Sequence, residues 1–175
     1  MANELIDIYD ENGNSLGITK LRSEIHKNGD WHKTVHVYVV NPQGQYLIHL
    51  RSPFKDLHPS HWGTRFGGHV IAGDDFKKTV IKELKEEIGL DITPNDLIEG
   101  QISNYNSANN NEIVKYYFYD FEGDIKDLSF NDNEVVEVKW LSPEEIINSM
   151  EKEREIWVGG PDKFKEINDY YKSKK

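Results

Sequence analysis

Residues 68–90 read GHVIAGDDFKKTVIKELKEEIGL, and the reading of this stretch decides the fold. Gly68 and Gly73 bracket a short apolar turn, after which Asp74 or Asp75 can cap a helix, because an aspartate oxygen accepts an otherwise orphaned N–H of the first turn. Phe76, Val80, Leu84 and Ile88 recur at every fourth residue, a slowly drifting stripe of the kind that faces a core. Gly89 follows as the natural stop, since glycine readily takes the left-handed conformation that ends helices. The spacing therefore predicts a helix from residue 74 or 75 to about Ile88. Away from the stripe, Glu83 and Glu87 stand one turn apart on the same side, with Glu86 beside them. Like charges at this spacing cost a few tenths of a kcal/mol in an isolated helix. A hard divalent cation reverses that sign, because Mg²⁺ takes carboxylate and phosphate oxygens together. Glycines ahead of the helix let backbone approach a metal or a phosphate closely. The competing reading is a solvated helix face laced with ion pairs such as Lys82–Glu86.

Working outward, Leu5–Tyr9 alternates apolar and acidic residues before an Asn12-Gly13 turn, which reads as a hairpin arm. Thr34–Val40 is a β-branched and aromatic run ending at Asn41-Pro42-Gln43-Gly44, a turn signal, with Tyr46–Leu50 as the returning strand. Residues 52–62 are loop-like, and Arg65–Val70 reads as a short strand entering the glycine loop. Further strands are expected near 98–105 and 112–121, around a polar tip at Asn106–Asn111, and over Val135–Leu141. Ser142-Pro143-Glu144-Glu145 starts a helix of about 142–152 with a cap, a first-turn proline and early acids. A third helix is expected from Pro161 to about 171 or 172. Strands and helices in this order suggest an α/β sandwich on a mixed sheet, within one domain spanning 1–175.

The chain has 175 residues, a formal net charge of −10, and no cysteine. Disulfides, thiolate metal sites and cysteine nucleophiles are thereby excluded. Duplex nucleic acid is a poor partner for so acidic a chain, since such binders need a cationic footprint. No signal-like pattern opens the sequence, and the longest apolar run, around Val37–Val40, is far too short to cross a bilayer. A cytoplasmic location without membrane attachment is the expectation.

The complete 68–90 pattern resembles the box of the Nudix superfamily: Gly, five residues, Glu, seven residues, then Arg-Glu-aliphatic-any-Glu-Glu-any-Gly-aliphatic. Gly68, Glu83, Leu84, Glu86, Glu87, Gly89 and Leu90 match it. Asp74 replaces the early Glu and Lys82 replaces the Arg, both with charge kept. The resemblance runs over roughly residues 3–150 and implies a Nudix-type α/β/α sandwich with a mixed, mainly antiparallel sheet. It also implies Mg²⁺, or alternatively Mn²⁺, on Glu83, Glu86 and Glu87 with the carbonyl of Gly67 or Gly68. One of the three glutamates serves as ligand or as base, and the resemblance does not assign which. Glu112 or Glu134 would complete the site. The implied reaction is attack of a metal-activated water on a small-molecule diphosphate, such as a nucleoside di- or triphosphate. A homodimer is common in the family.

The flanks are similar to the isopentenyl-diphosphate isomerase branch of that superfamily, through His26, Trp31-His32, Arg51-Ser52-Pro53-Phe54-Lys55, Trp62 and Gly68-His69. The likeness implies a second metal set of His26, His32, His69 and Glu112, with Asn110 where those isomerases carry another glutamate. It implies diphosphate binding by Arg51 and Lys55. The isomerases place a cysteine before Gly68; here Gly67 stands there. Their isomerisation of an isoprenyl diphosphate, and a non-catalytic nucleotide-sensing module, remain the alternatives to hydrolysis. His36, His49, His58 and His61 read as packing, strand-surface or loop residues, and Trp31, Trp62 and Trp140 as core or rim aromatics.

Overall fold

The computed structural model describes residues 4–55, 57–107, 110–130 and 134–175. In chain order these residues form β1 (Leu5–Tyr9), β2 (Ser15–Leu21), α1 (Arg22–Asn28), β3 (Trp31–Val40), β4 (Tyr46–Arg51), β5 (Trp62–Gly63), α2 (Phe76–Ile88), β6 (Leu97–Ser107), β7 (Asn110–Asp120), β8 (Val135–Leu141), α3 (Pro143–Lys152) and α4 (Pro161–Lys172). The central strand is β3. It runs parallel to β7 in unbroken register from Trp31 opposite Asn111 to Val40 opposite Asp120. The other strand pairings are antiparallel: β6 with β7, β1 with β2 and β3, and β4 with β3, β5 and β8.

Side chains on a strand point alternately to opposite faces, and β3 is apolar on both. Val35, Val37 and Val39 pack with Val80, Leu84 and Ile88 of α2 on one side. Tyr38 and Val40 pack with Ile146 and Met150 of α3 and with Phe164 and Ile167 of α4 on the other. Two helical layers therefore enclose one mixed, mainly antiparallel sheet, which is the expected α/β/α sandwich. The four-residue stripe of α2 behaves as read, with Val80, Leu84 and Ile88 fully buried. Asp75 caps that helix by accepting from Lys78 N at 2.8 Å, and Gly89 ends it in the left-handed conformation at φ 73°.

Two expectations are corrected. Arg65–Val70 is not a regular strand: it touches β3 through isolated bridges, Phe66 opposite Val37 and His69 opposite Thr34. Gly67, at φ 140°, breaks the pleat between them. Of the polar tip expected at Asn106–Asn111, residues 108–109 lie outside the described residues, while Asn106 and Ser107 belong to β6 and Asn110 and Asn111 to β7. Helix α1 has no counterpart in the sequence reading. Its seven residues carry one buried apolar side chain, Ile25, which packs on Ile6 and Ile8 of β1. Gly29 ends it at φ 67°.

Candidate functional site

The candidate site is organised by three consecutive residues of the glycine loop, each held to a different partner. Gly67 donates its N–H to Glu87 Oε1 at 3.1 Å. Gly68 is packed against Glu83 so tightly that a Cβ there would lie 2.6 Å from Glu83 Oε1. His69 brings its Nε2 to 3.1 Å from His26 Nε2. The loop keeps this path because β3 pins it, with Val35 N donating to Gly68 O and Val70 N donating to Lys33 O, both at 2.9 Å.

On the carboxylate side, Glu87 is buried, at 5% exposure. Burial pushes the Glu83 carboxyl up to about 7; Lys82 opposes this, and Glu86, Glu134 and Glu4 reinforce it. A carboxylate that is costly to ionise beside other acids is relieved by a divalent cation, so the donors on Glu83 and Glu87 fit Mg²⁺ or Mn²⁺. The Gly68 carbonyl, bonded to Val35 N, retains a second lone pair for such an ion. Glu86 is different. It is half exposed and 3.9 Å from Lys82, as in the ion-pair reading. Asp74 bonds to Lys78 and not to Lys82.

The histidine side is assembled from α1, β3 and the loop. One ligand atom from each of His26, His32 and His69 lies within 4.8 Å of the others. His32 is fully buried. Its Nδ1 sits 3.0 Å from Asp30 O, which fixes that nitrogen as the donor, while Nε2 is buried without a hydrogen-bond partner. A backbone carbonyl holding one ring nitrogen so that the other presents its lone pair is the usual support of a metal-bound histidine. Burial lowers the pKa of all three rings, most strongly at His69, and keeps them neutral as ligation requires. Parallel register sets Glu112 beside His32, and its charge acts on His26 and His32. Asn110 donates to Glu112 Oε1 at 2.9 Å.

The two cations expected to clamp a diphosphate are engaged differently. Arg51 is braced by its loop, donating to His58 O at 3.2 Å and Leu57 O at 3.0 Å. Lys55 pairs with Glu134 at 2.5 Å. Beside Arg51 lies a cavity of about 100 Å³ whose wall includes His36, His49, Arg65 and Gly67. His36 and His49, expected as packing, strand-surface or loop residues, stand at this wall, as does Arg65, whose neighbours in the chain carry no motif that singles it out.

The NUDIX domain profile matches residues 30–158. The chain belongs to the Nudix family. Among similar proteins, Nudix hydrolase 3 of Arabidopsis thaliana is 33% identical over 168 residues, covering 90% of this Nudix chain and 22% of the plant protein, so this chain spans about a fifth of that relative. An uncharacterized Nudix hydrolase of Clostridium acetobutylicum is 33% identical over 153 residues, covering 83% of this chain and 73% of its own. The isomerase branch is represented by the isopentenyl-diphosphate Delta-isomerase of Kocuria rhizophila, 25% identical over 151 residues, covering 85% and 83%. The crystal structure of DR0079 from Deinococcus radiodurans shares the fold at TM-score 0.75 and 23% identity, covering 96% of this chain and 99% of that one. Among the described residues, no helix is long and apolar enough to cross a membrane.

Proposed function

We propose that this Nudix chain hydrolyses a diphosphate linkage in a small molecule, such as a nucleoside di- or triphosphate, with Mg²⁺ as cofactor and Mn²⁺ as a substitute. The observation that carries the reading is the convergence of Glu83 and Glu87 on Gly67 and Gly68. When bound, the cation would supply charge neutralisation of the phosphates and acidify a water towards neutral pH. The chain's own residues do the rest. Glu83 and Glu87 would hold the cation and present an acceptor for the water proton, and Gly67 N–H keeps Glu87 oriented. Arg51 offers its guanidinium to phosphate oxygens, and Lys55 joins it on release from Glu134. The water oxygen bonds to phosphorus and the bridging P–O bond breaks.

The isomerase alternative is disfavoured by one observation. At Gly67, where the isomerases carry cysteine, a Cβ would lie 2.0 Å from Val35 O, at a backbone φ of 140°. No side chain fits there in this conformation, which supports hydrolysis over isomerisation. The test is phosphate release across a panel of diphosphates with Mg²⁺, for the wild type and for Glu87→Gln. Loss of a ligand or base is expected to cost about 10²–10⁴-fold in kcat. Turnover that survives Glu87→Gln unchanged, or no turnover on any diphosphate, sinks the proposal.

A further inference from the structure

We infer that the cavity between Arg51 and Arg65 is a subsite for one terminal phosphoryl group, and that the preferred substrate is a diphosphate ending in a free phosphate. This rests on the proposed hydrolysis and narrows its substrate class. The cavity holds about 100 Å³, well below the roughly 300–1,000 Å³ that encloses a drug-sized ligand. A single tetrahedral group fits; a nucleoside or sugar does not.

The lining specifies an anion. Two guanidiniums, Arg51 and Arg65, and two imidazoles, His36 and His49, stand at its wall. Among the described residues, no carboxylate lines it, in a chain whose net charge is −10. Among the described residues, no carboxylate oxygen lies within ion-pair distance of Arg65. His49 is 2% exposed, and its Nδ1, like that of His36, is buried with no hydrogen-bond partner. Buried polar nitrogens without partners are costly. Guanidinium donors in a fixed fork match phosphate oxygens, and such charge-assisted bonds are the strong ones. Phe66 and Val158 also line the cavity, but its two guanidiniums favour an anionic group over a hydrocarbon tail.

Gly67 connects the cavity to the chemistry. It lines the cavity, while its N–H holds Glu87 and its neighbour Gly68 abuts Glu83. A phosphoryl in the cavity therefore leaves the next phosphoryl beside the carboxylates. Water adds its oxygen to one phosphorus, the bridging P–O bond to the other breaks, and the carboxylate takes one water proton and returns it to solvent. The products are orthophosphate and an organic monophosphate. Diphosphates substituted at both ends offer the cavity no terminal phosphoryl.

Two measurements test this. With Mg²⁺, orthophosphate release from ADP is compared with cleavage of ADP-ribose, which shares the nucleotide but caps the terminal phosphate. ADP is expected to be preferred in kcat/KM, and Arg65→Ala to lower that value about 10–100-fold, chiefly through KM, with partial recovery in Arg65→Lys. Separately, calorimetry follows binding of methylenediphosphonate, a non-hydrolysable inorganic diphosphate, to wild type and to folded Arg65→Ala confirmed by its thermal midpoint. Weakening by about 10-fold or more supports the subsite whether or not turnover is seen. If Glu87→Gln abolishes hydrolysis while Arg65→Ala changes neither KM nor methylenediphosphonate affinity, the subsite is overturned and the hydrolysis stands. If nothing is hydrolysed yet the diphosphonate still depends on Arg65, the hydrolysis fails and the subsite stands. Preference for ADP-ribose over ADP overturns the substrate class.

Discussion

The Nε2 atoms of His26 and His69 lie 3.1 Å apart. Two imidazoles bound to one ion at about 2.0–2.1 Å with tetrahedral angles would place their nitrogens roughly 3.3 Å apart. The pair is therefore spaced as it would be around an ion, with buried His32 Nε2 as a third donor. Nitrogen donors suit Zn²⁺ and Mn²⁺ better than Mg²⁺, which prefers the all-oxygen carboxylate side. The expected outcome is that His32→Gln lowers bound Zn²⁺ or Mn²⁺ by one equivalent, or weakens it by at least about 10-fold. Elemental analysis and calorimetry read this directly. Equal stoichiometry and affinity in wild type and variant would refute a histidine-held ion.

Glu83 predicts a stability trade-off. A carboxyl whose folded pKa is raised contributes stability that is complete below its unfolded value, near 4.5, and is lost as pH rises through about 7. Metal-free Glu83→Gln should therefore melt higher than wild type above pH 7, by a few degrees, and show no gain below pH 4.5; 1 kcal/mol is worth about 2–4 °C in a chain of this size. Added Mg²⁺ should raise the wild-type midpoint and move the variant far less. Thermal scans across pH with EDTA or Mg²⁺ check both signs. A variant that is less stable than wild type at pH 8 without metal contradicts the assignment.

Gly67 should tolerate nothing larger. Gly67→Ala brings a Cβ against Val35 O and imposes a side chain on a φ of 140°, a cost of about 1–3 kcal/mol for the backbone alone. The midpoint of urea unfolding should fall accordingly. Gly67→Cys should suffer the same loss without interconverting isopentenyl diphosphate isomers. A Gly67→Cys protein with native stability would show that the loop relaxes more readily than β3 pairing implies.

His49 sets an acid limit on stability. Burial lowers its pKa from 6.5 to about 3, and the charges of Arg51, Arg65 and Lys55 add to this. For a histidine buried neutral, stability is complete above pH 6.5 and is lost as pH falls from there towards 3, because the unfolded chain takes the proton first. Its share of the slope approaches about 1.4 kcal/mol per pH unit. His36 and His69 are shifted the same way. In His49→Gln the acid limb should be shallower by up to one proton, measurable from urea midpoints between pH 4 and 7. An unchanged slope would count against a neutral, buried His49.

Much of this was legible because it rests on local signals. The α2 boundaries follow from Asp75, the apolar stripe and Gly89, and β8 falls where its pattern ends at Ser142. Glu83, Glu87 and the glycines were legible because one helix and one loop fix their spacing. What escaped depends on partners distant in sequence. Strand β3 starts earlier than its apolar run because His32 and Lys33 are polar, and pairing with β7 orders them regardless. Helix α1 is too short to show a period. Arg65 gains meaning only when Arg51, His36 and His49 are folded around it. Glu86, conspicuous in the box, turns out to lean towards Lys82.

The ten-residue parallel seam between β3 and β7 also governs when the site comes into being. His32 and Glu112 are lateral neighbours across that seam although 80 positions separate them. Closing so long a stretch of chain must precede any reward from the pairing, which makes parallel seams slow to form. During refolding, α2 and the β1–β2 hairpin can arise from nearby sequence, whereas the histidine donors and Glu112 meet only when the seam zips. An ion added early should find no cage to occupy, and its capture should coincide with the slowest phase of refolding.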